Sequence, residues 1–153
     1  MFVITDADNN VYEGTADGNN TSYDPTPLQI TLSPSPDLQV VPASITLPAN
    51  GFAGQAITVG WSVINGGAAP TGSVSWTDYT YISRDQILDS TDPTLGFLAR
   101  SGGLATGATY TQAPSFILPA GTSGDYYVIV QTDRNGVVSE TNETNNTLVS
   151  TSV

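Results

Sequence analysis

Short runs of β-branched and aromatic residues, separated by Gly, Pro, Asn and Asp, recur along the whole 153-residue chain. No stretch of ten or more residues places apolar side chains at helical spacing, whereas alternation with a period of two is frequent. We predict strands over 37–48, 56–65, 74–83, 94–100, 108–118 and 125–133, and a last one from "GVVSE" into "NNTLVSTSV" (136–153). Seven short strands at this spacing predict an all-β, immunoglobulin-like seven-stranded β-sandwich.

The alternation within each predicted strand also predicts which side chains face the core. The predicted inward residues of the second strand are Ile57, Val59, Trp61 and Val63. Those of the third strand are Val74 and Trp76, and those of the penultimate strand are Tyr126, Val128 and Val130. Tyr127 and Ile129 then belong to the opposite face.

An internal repeat divides the chain into two parts. "FVITD" (2–6) matches "IVQTD" (129–133), so that Asp6 corresponds to Asp133 and Glu13 to Glu140, 127 residues further on. The first copy then gains one residue before its Asn-Asn pair meets the pair at 145–146. Self-similarity at a fixed offset is the mark of a tandem array.

The repeat predicts how the chain is organised. We interpret residues 1–34 as the terminal hairpin of a preceding repeat, ending in a strand "LQITLS" (28–33), and 35–153 as one complete domain. The Pro-containing "SPSPD" (33–37) is expected to form an extended, fairly stiff joint between repeats. A hairpin without the rest of its sheet exposes strand edges, so we expect it to fray or to pair with another edge.

The charge balance excludes several classes of function. Three Arg and no Lys stand against fourteen Asp and Glu, a formal net charge of −11. Nucleic acid and anionic membrane surfaces are therefore disfavoured, and cations are favoured partners. The chain has no Cys and no His, which excludes disulfides, the common zinc sites and Ser/His/Asp catalysis. No apolar run is long enough for a membrane span.

One acid- and amide-rich run, "DRNGVVSETNETNN" (133–146), is a candidate calcium site. A type I′ turn at Asn135-Gly136 would pair Asp133 with Val138 and Gln131 with Glu140. Asp133 and Glu140 would then be diagonal neighbours about 7–8 Å apart, close enough to share one calcium ion, with Asn135, Asn142 or a main-chain carbonyl completing the shell. The alternative is that these side chains only satisfy the amides of a turn.

A second acidic run, "RDQILDSTDPTLG", places Asp85, Asp89 and Asp92 in a connecting loop. Three carboxylates within eight residues repel one another unless a cation or amide groups intervene, so calcium is a candidate ligand here too. The alternative is local turn capping by each Asp, with Ile87 and Leu88 packed inward. Both acidic runs could also lie at one end of the sandwich and share an ion.

The sequence gives less support to two other kinds of site. A carboxylate pair for glycoside hydrolysis requires a cleft, and a small sandwich offers none. A carbohydrate platform could form from Trp76, Tyr79 and Tyr81 if a bulge turned the tyrosines outward; burial of these rings against the core and a neighbouring strand is the favoured alternative.

Several motifs in order resemble one known family. They are "PDLQVVPASITLP", "GQAITVGWSVINGG", "SWTDYTYISRDQILDSTDPTLG", "LPAGTSGDYYVIVQTD" and "VVSETNETNN". Together they resemble CARDB, the cell-adhesion-related domain found in bacteria, over nearly all of 36–148. The resemblance implies an extracellular or cell-surface immunoglobulin-like domain, usually repeated within large secreted or surface proteins, and it implies no catalytic residue.

The resulting expectation is a non-enzymatic spacer or adhesion module, with Ca²⁺ as a stabilising ion. Its expected partners are adjacent repeats of the same polypeptide and a surface protein or polysaccharide, without nucleic acid or membrane insertion. The alternative is a carbohydrate- or protein-binding module appended to a secreted enzyme.

Overall fold

The computed structural model describes residues 1–150, and the chain divides into two units, Met1–Ser33 and Pro34–Val153. The smaller unit contains β1 (Phe2–Ile4), a 3-10 helix (Gly14–Asn19) and β2 (Thr21–Tyr23), with β1 and β2 antiparallel. The predicted strand over 28–33 is wrong, since this segment contains no strand and its apolar side chains are exposed. Alternation stabilises a strand only where a neighbouring strand pairs with it.

The larger unit is built from nine strand segments. They are β3 (Leu38–Val40), β4 (Ala56–Thr58), β5 (Trp61–Asn65), β6 (Trp76–Ser83), β7 (Thr94–Arg100), β8 (Thr109–Gln112), β9 (Ser115–Ile117), β10 (Tyr127–Gln131) and β11 (Thr147–Val149). One sheet has the order β11-β10-β6-β7, a second the order β3-β5-β8, and β4 pairs with β9. All these pairs are antiparallel, and the 3-10 helix Gly14–Asn19 is the one helix of the described residues, which confirms the all-β prediction.

Nine segments replace the seven predicted strands because two of the predicted strands are broken opposite each other. The predicted strand 56–65 is interrupted between β4 and β5, where Gly60 pairs across to Thr46 in an isolated bridge. The predicted strand 108–118 is interrupted between β8 and β9 at Pro114, which has no N–H to donate and whose carbonyl accepts from Val59 N–H (3.0 Å).

The core lies between the two larger sheets, as the alternation predicted. Trp61 and Val63 of β5 belong to the same buried cluster as Val128 and Val130 of β10. Trp76 of β6 is also part of this buried cluster. Partly buried residues around it include Ile57, Val74 and Tyr126. The predicted inward faces are therefore confirmed.

Candidate functional site

The loop between β6 and β7 carries the second acidic run, and each of its carboxylates binds local amides. Asp85 accepts a hydrogen bond from the Ile87 N–H (2.9 Å), and Asp92 accepts one from the Asp89 N–H (2.9 Å). Asp89 accepts from both the N–H and the hydroxyl of Thr91 (2.7 and 2.6 Å), and these hydrogen bonds lower its pKa. The Ile87 side chain is 70% exposed, so its predicted inward packing is wrong: the turn that Asp85 caps leaves it in solvent.

The two acidic runs lie at opposite ends of β6. Asp85 lies two residues beyond the last residue of this strand, whereas the N–H of Arg134 donates to Thr77 near its first residue (3.2 Å). Eight residues at roughly 3.3 Å each separate the two ends by more than about 20 Å. Calcium binds its oxygen ligands at roughly 2.3–2.6 Å, so a shared ion is excluded by this topology.

Asp133 begins a long loop and not the predicted short hairpin. Gln131, the last residue of β10, pairs with Thr147 of β11 and not with Glu140. The predicted pairing of Asp133 with Val138 is therefore wrong, because the second strand begins only after residue 146.

The Asp133 side chain itself closes the turn at the start of this loop. Its Oδ1 accepts from the Val137 N–H (3.0 Å) and its Oδ2 from the Val138 N–H (2.7 Å). The backbone φ is positive at Asp133 (41°) and Gly136 (60°) but not at Asn135, whereas a type I′ turn requires positive φ at both central residues. The turn-capping alternative thus describes this loop, and Asn135 is exposed.

Glu140 is the most perturbed carboxylate of the loop. Its Oε2 accepts from the Leu38 N–H (2.5 Å) and its Oε1 from the Asn146 side-chain amide (3.0 Å). Desolvation raises the pKa of Glu140 to about 7 despite these hydrogen bonds, and the charges of Glu143 and Asp133 add to the rise. This group is therefore partly ionised near neutral pH.

The loop also holds the segment that leads into the domain, Ser35–Asp37, here called the leading segment. The Thr141 N–H donates to the Pro36 carbonyl (2.9 Å), and the Gly66 N–H donates to the Asp37 carbonyl (2.7 Å). A Cβ atom at Gly67 would clash with the backbone of Pro36. The leading segment is thus fixed on both sides, which anchors one end of the joint predicted over 33–37.

Two buried amide oxygens lie beside these carboxylates. The Asn145 side-chain N–H donates to Asp37 (2.9 Å), and that of Asn146 donates to Glu140. The Oδ1 atoms of Asn145 and Asn146 are buried and have no hydrogen-bond donor in the described part of the chain. Such oxygens are costly to bury unless a donor or a cation meets them.

Within residues 1–150 no three acidic side chains converge as a preformed metal cage. The six candidate ligands form two separate sets, with each Asp of the first set bonded to its own turn. The assignment of a metal to Asp85, Asp89, Asp92, Asp133, Asn135 and Glu140 stays a prediction.

Sequence reasoning missed a buried polar network centred on Asp78. This side chain is fully buried and accepts hydrogen bonds from Trp61 Nε1 (3.0 Å), the Tyr110 hydroxyl (2.7 Å) and the Thr132 hydroxyl (2.7 Å). Desolvation raises its pKa, and the three hydrogen bonds oppose that rise. The network joins both sheets. Its signal was available, since Asp78 shares the inward face of its strand with Trp76.

Aromatic rings lie on the outer face of the four-stranded sheet. Tyr79 stacks with Phe97 (centroids 5.4 Å apart) and with Tyr81 (6.3 Å), and Arg134 Nε donates to the Tyr81 hydroxyl (2.8 Å). Phe97 is 62% exposed, while Tyr81 is buried. Trp76 is in the core on the opposite face, so its inclusion in a platform is wrong: successive side chains of a strand alternate between faces.

A cavity of about 250 Å³ lies beside Leu47, Ile57 and Leu118. It is at the end of the sandwich where β10 begins, opposite the loop that follows this strand. Asp125 is the acidic residue among its lining side chains. This lining supplies no pair of carboxylates for glycoside hydrolysis.

Comparisons with known proteins identify the family. The sequence model of the CARDB family matches residues 35–150, so this chain belongs to the CARDB family, whose domains are non-catalytic modules. A comparison with curated proteins gives no match.

Two solved structures are similar to this chain. One is the CARDB domain of a Pyrococcus furiosus protein in complex with di-metal ions, with 19% identity and a TM-score of 0.55 over 78% of this chain and 93% of that one. The other is a domain of a putative cell surface protein from Methanosarcina acetivorans, with 22% identity and a TM-score of 0.50 over 73% and 87%. These likenesses confirm the immunoglobulin-like fold.

The described residues contain no helix with the length and apolar character of a membrane span.

Proposed function

We propose that this chain is a non-enzymatic module of a tandem CARDB array at the cell surface, where it acts as a spacer that carries adhesive parts outward. The observation that carries this proposal is the duplicated hairpin. Ile4 pairs with Thr21 in the first unit as Gln131 pairs with Thr147 in the second, the same register in both copies. A chain that repeats its last hairpin ahead of a complete domain has the organisation of a repeat array.

The path of the chain suits a spacer. The leading segment is held beside Glu140 and Thr141, next to the loop that precedes β11. From Thr147 to Ser150 the chain runs beside β10 towards its first residues, about 10 Å away from the leading segment. A domain entered at one end and left in the direction of the other extends an array lengthwise.

Surface exposure can be tested because the chain has no Cys. A Ser90→Cys variant of the parent protein, produced in its own cells, adds one thiol in the exposed β6–β7 loop. We expect a membrane-impermeant maleimide to label this thiol on intact cells as fully as after lysis, with the unsubstituted parent protein as the control. Labelling only after lysis would contradict a surface location.

We further propose that Ca²⁺ stiffens the loop around Glu140. The partly ionised Glu140 carboxylate, the nearby Asp133 carboxylate and the buried Oδ1 of Asn146 are oxygen ligands of the kind that calcium takes. The metal complex of the Pyrococcus furiosus domain is consistent with metal binding in a CARDB domain.

Thermal melts in EDTA, millimolar Ca²⁺ and millimolar Mg²⁺ test the calcium proposal. A ligand at a thousand times its Kd adds about 4 kcal/mol, several degrees in Tm for a domain of this size. We expect a calcium-specific rise that Glu140→Gln abolishes and that the matched Asp89→Asn preserves. Loss of the rise with Asp89→Asn alone would move the site to the β6–β7 loop. An unchanged Tm in Ca²⁺ would mean that the carboxylates of both acidic runs only cap the amides of their turns.

The outer aromatic face favours one alternative function, carbohydrate binding. Stacked Tyr79 and Phe97 present apolar ring surface, and the Arg134 guanidinium lies 6.0 Å from the Tyr79 ring centre. A polysaccharide array probed with the full chain and with Phe97→Ala tests it. Binding that Phe97→Ala removes would support the alternative, and no binding would leave the spacer function.

A further inference from the structure

The hairpin of the first unit and the terminal hairpin of the second unit have corresponding backbone hydrogen bonds. The Thr5 N–H donates to Asn20 (2.9 Å) as the Thr132 N–H donates to Asn146 (2.9 Å). The Asp24 N–H donates to the Met1 carbonyl (3.0 Å) as the corresponding N–H at 150 donates to the carbonyl at 128 (2.8 Å). The two hairpins therefore have one register and one length of paired strand.

The turn after the first strand is copied as well. Asp6 has a φ of 46° and accepts from the N–H groups of Asn10 (2.7 Å) and Val11 (3.0 Å). Asp133, with a φ of 41°, caps the equivalent positions 137 and 138. An Asp that adopts positive φ and accepts two backbone N–H groups is uncommon, and the chain contains it at both equivalent positions.

The two hairpins differ in what lies on the second edge of their first strand. β10 pairs with β11 on one edge and with β6 on the other, along Tyr127–Gln131. In the described residues β1 pairs with β2 alone. Phe2 and Val3 are 75% and 52% exposed, whereas their equivalents Ile129 and Val130 are fully buried.

We infer that the free edge of β1 is a strand-acceptor site for the β6 strand of a preceding CARDB repeat, in the register that β10 uses. This inference rests on the proposed repeat array and names the partner of its first unit. By equivalence with β10, Val3 would lie opposite the position of Thr80, and Phe2 opposite the position of Tyr81. The apolar side of β1 would then complete the core of the preceding domain.

The chemistry of the edge fits this occupant. An antiparallel strand supplies the backbone donors and acceptors that the free edge lacks, and a two-stranded hairpin is marginally stable without a third strand. The partner must also bury its side chains at alternate positions, because Met1 and Val3 occupy the places of buried Val128 and Val130. β6 buries Trp76, Asp78, Thr80 and Ile82 on its inward face, and its Ile82 and Thr80 are the strand partners of Val128 and Val130.

An extended chain tests the inference. A second copy of residues 34–127 is fused directly before Met1, which places Met1 in the position of Val128. We expect the amides of Phe2, Val3 and Ile4 to exchange with solvent at least about a hundredfold more slowly than in the unextended chain. Exchange at the unextended rate, in an extended chain whose second domain remains folded, would overturn the inference.

Two variants of the extended chain control for folding. Val3→Asp places a charge at a position equivalent to buried Val130, and we expect it to abolish the protection. Tyr12→Asp is matched in charge at a position equivalent to exposed Ser139, and we expect it to preserve the protection. Equal effects of the two variants would overturn the inference.

A reciprocal exchange decides the result if the extended chain aggregates. In the 153-residue chain, residues 128–150 are replaced by a copy of residues 1–24. A cooperative melt of this chain supports the inference, and its absence overturns it. The surface-labelling experiment tests the proposed surface location independently of either outcome.

Discussion

The two hairpins of this chain have matching backbone conformations, but the side chains of the first are exposed where those of the second are buried. β1–β2 and β10–β11 share register, capping Asp and closing hydrogen bonds. Yet Val11 is 58% exposed where its equivalent Val138 is buried. The comparison shows that local sequence determines the turn and the register, whereas burial depends on the strands that pack alongside. Four matched pairs of substitutions at equivalent positions separate these contributions.

Val130→Asp should unfold the second unit. A carboxylate at this fully buried position has no partner, which costs more than about 4 kcal/mol, a large part of a typical domain's stability. The matched Val3→Asp should leave the Tm of the chain within about a degree, because Val3 is half exposed. Circular-dichroism melts of both variants measure this, and a comparable loss in both would show that β1 is buried in solution.

Asp133→Ala should cost about 2–3 kcal/mol. It removes the acceptor of two backbone N–H groups, one of which belongs to buried Val138, and it replaces an Asp at positive φ. Asp6→Ala removes the same two hydrogen bonds where water can replace them, so less than about 0.5 kcal/mol is expected for the global transition. Urea unfolding followed by Trp fluorescence, from Trp61 and Trp76, gives both values. Equal losses would contradict the comparison.

Thr132→Val should cost about 1–2 kcal/mol. The Thr132 hydroxyl donates to the buried Asp78 (2.7 Å), and an isosteric Val leaves that carboxylate with one donor fewer. The equivalent Thr5 hydroxyl makes only an exposed contact with Asn20 (3.4 Å), so Thr5→Val should be neutral. A double-mutant cycle with Asp78→Asn should show coupling of Thr132 to Asp78, and additivity there would remove Thr132 from the network.

The pH dependence in EDTA should show the smallest effect. Because burial raises the pKa of Glu140 to about 7 from 4.5, the folded state binds more protons than the unfolded state in this interval. Its contribution to stability is present below pH 4.5 and is lost as the pH rises through 7. We expect Tm to fall by a few degrees between pH 5.5 and 8. Glu140→Gln should flatten this slope, while the equivalent Glu13→Gln should not; an unchanged slope in Glu140→Gln would refute the assignment.

Much of the fold could be predicted from the sequence because the information is local. Alternation alone placed Trp61, Val128 and Val130 in the core, and self-similarity alone related Asp6 to Asp133. The two-residue hairpin predicted from Asn135-Gly136 was wrong. The Asp133 carboxylate accepts from the turn amides instead, so the loop can be longer than two residues. Local turn propensity does not include the hydrogen bonds of a side chain that stabilises a longer loop.

Alternation places Asp78 on the inward face of its strand beside Trp76, but the donors that allow its carboxyl group to be buried could not be predicted. Asp78 is stable in the core because Trp61, Tyr110 and Thr132 donate to it from three other parts of the chain. These residues become neighbours only once both sheets have formed, so no local pattern relates them. The same applies to Glu140, whose pKa is raised by burial and lowered by a hydrogen bond from the distant Leu38 N–H.

Residue-resolved native-state hydrogen exchange of the 153-residue chain tests the central comparison most directly. We predict that the Val130 amide exchanges only through global unfolding, while the Val3 amide, in the same hairpin geometry, exchanges at least about a thousandfold faster. Equal protection of the two amides in a monomer would contradict it, because the first hairpin would then be complete without a partner strand.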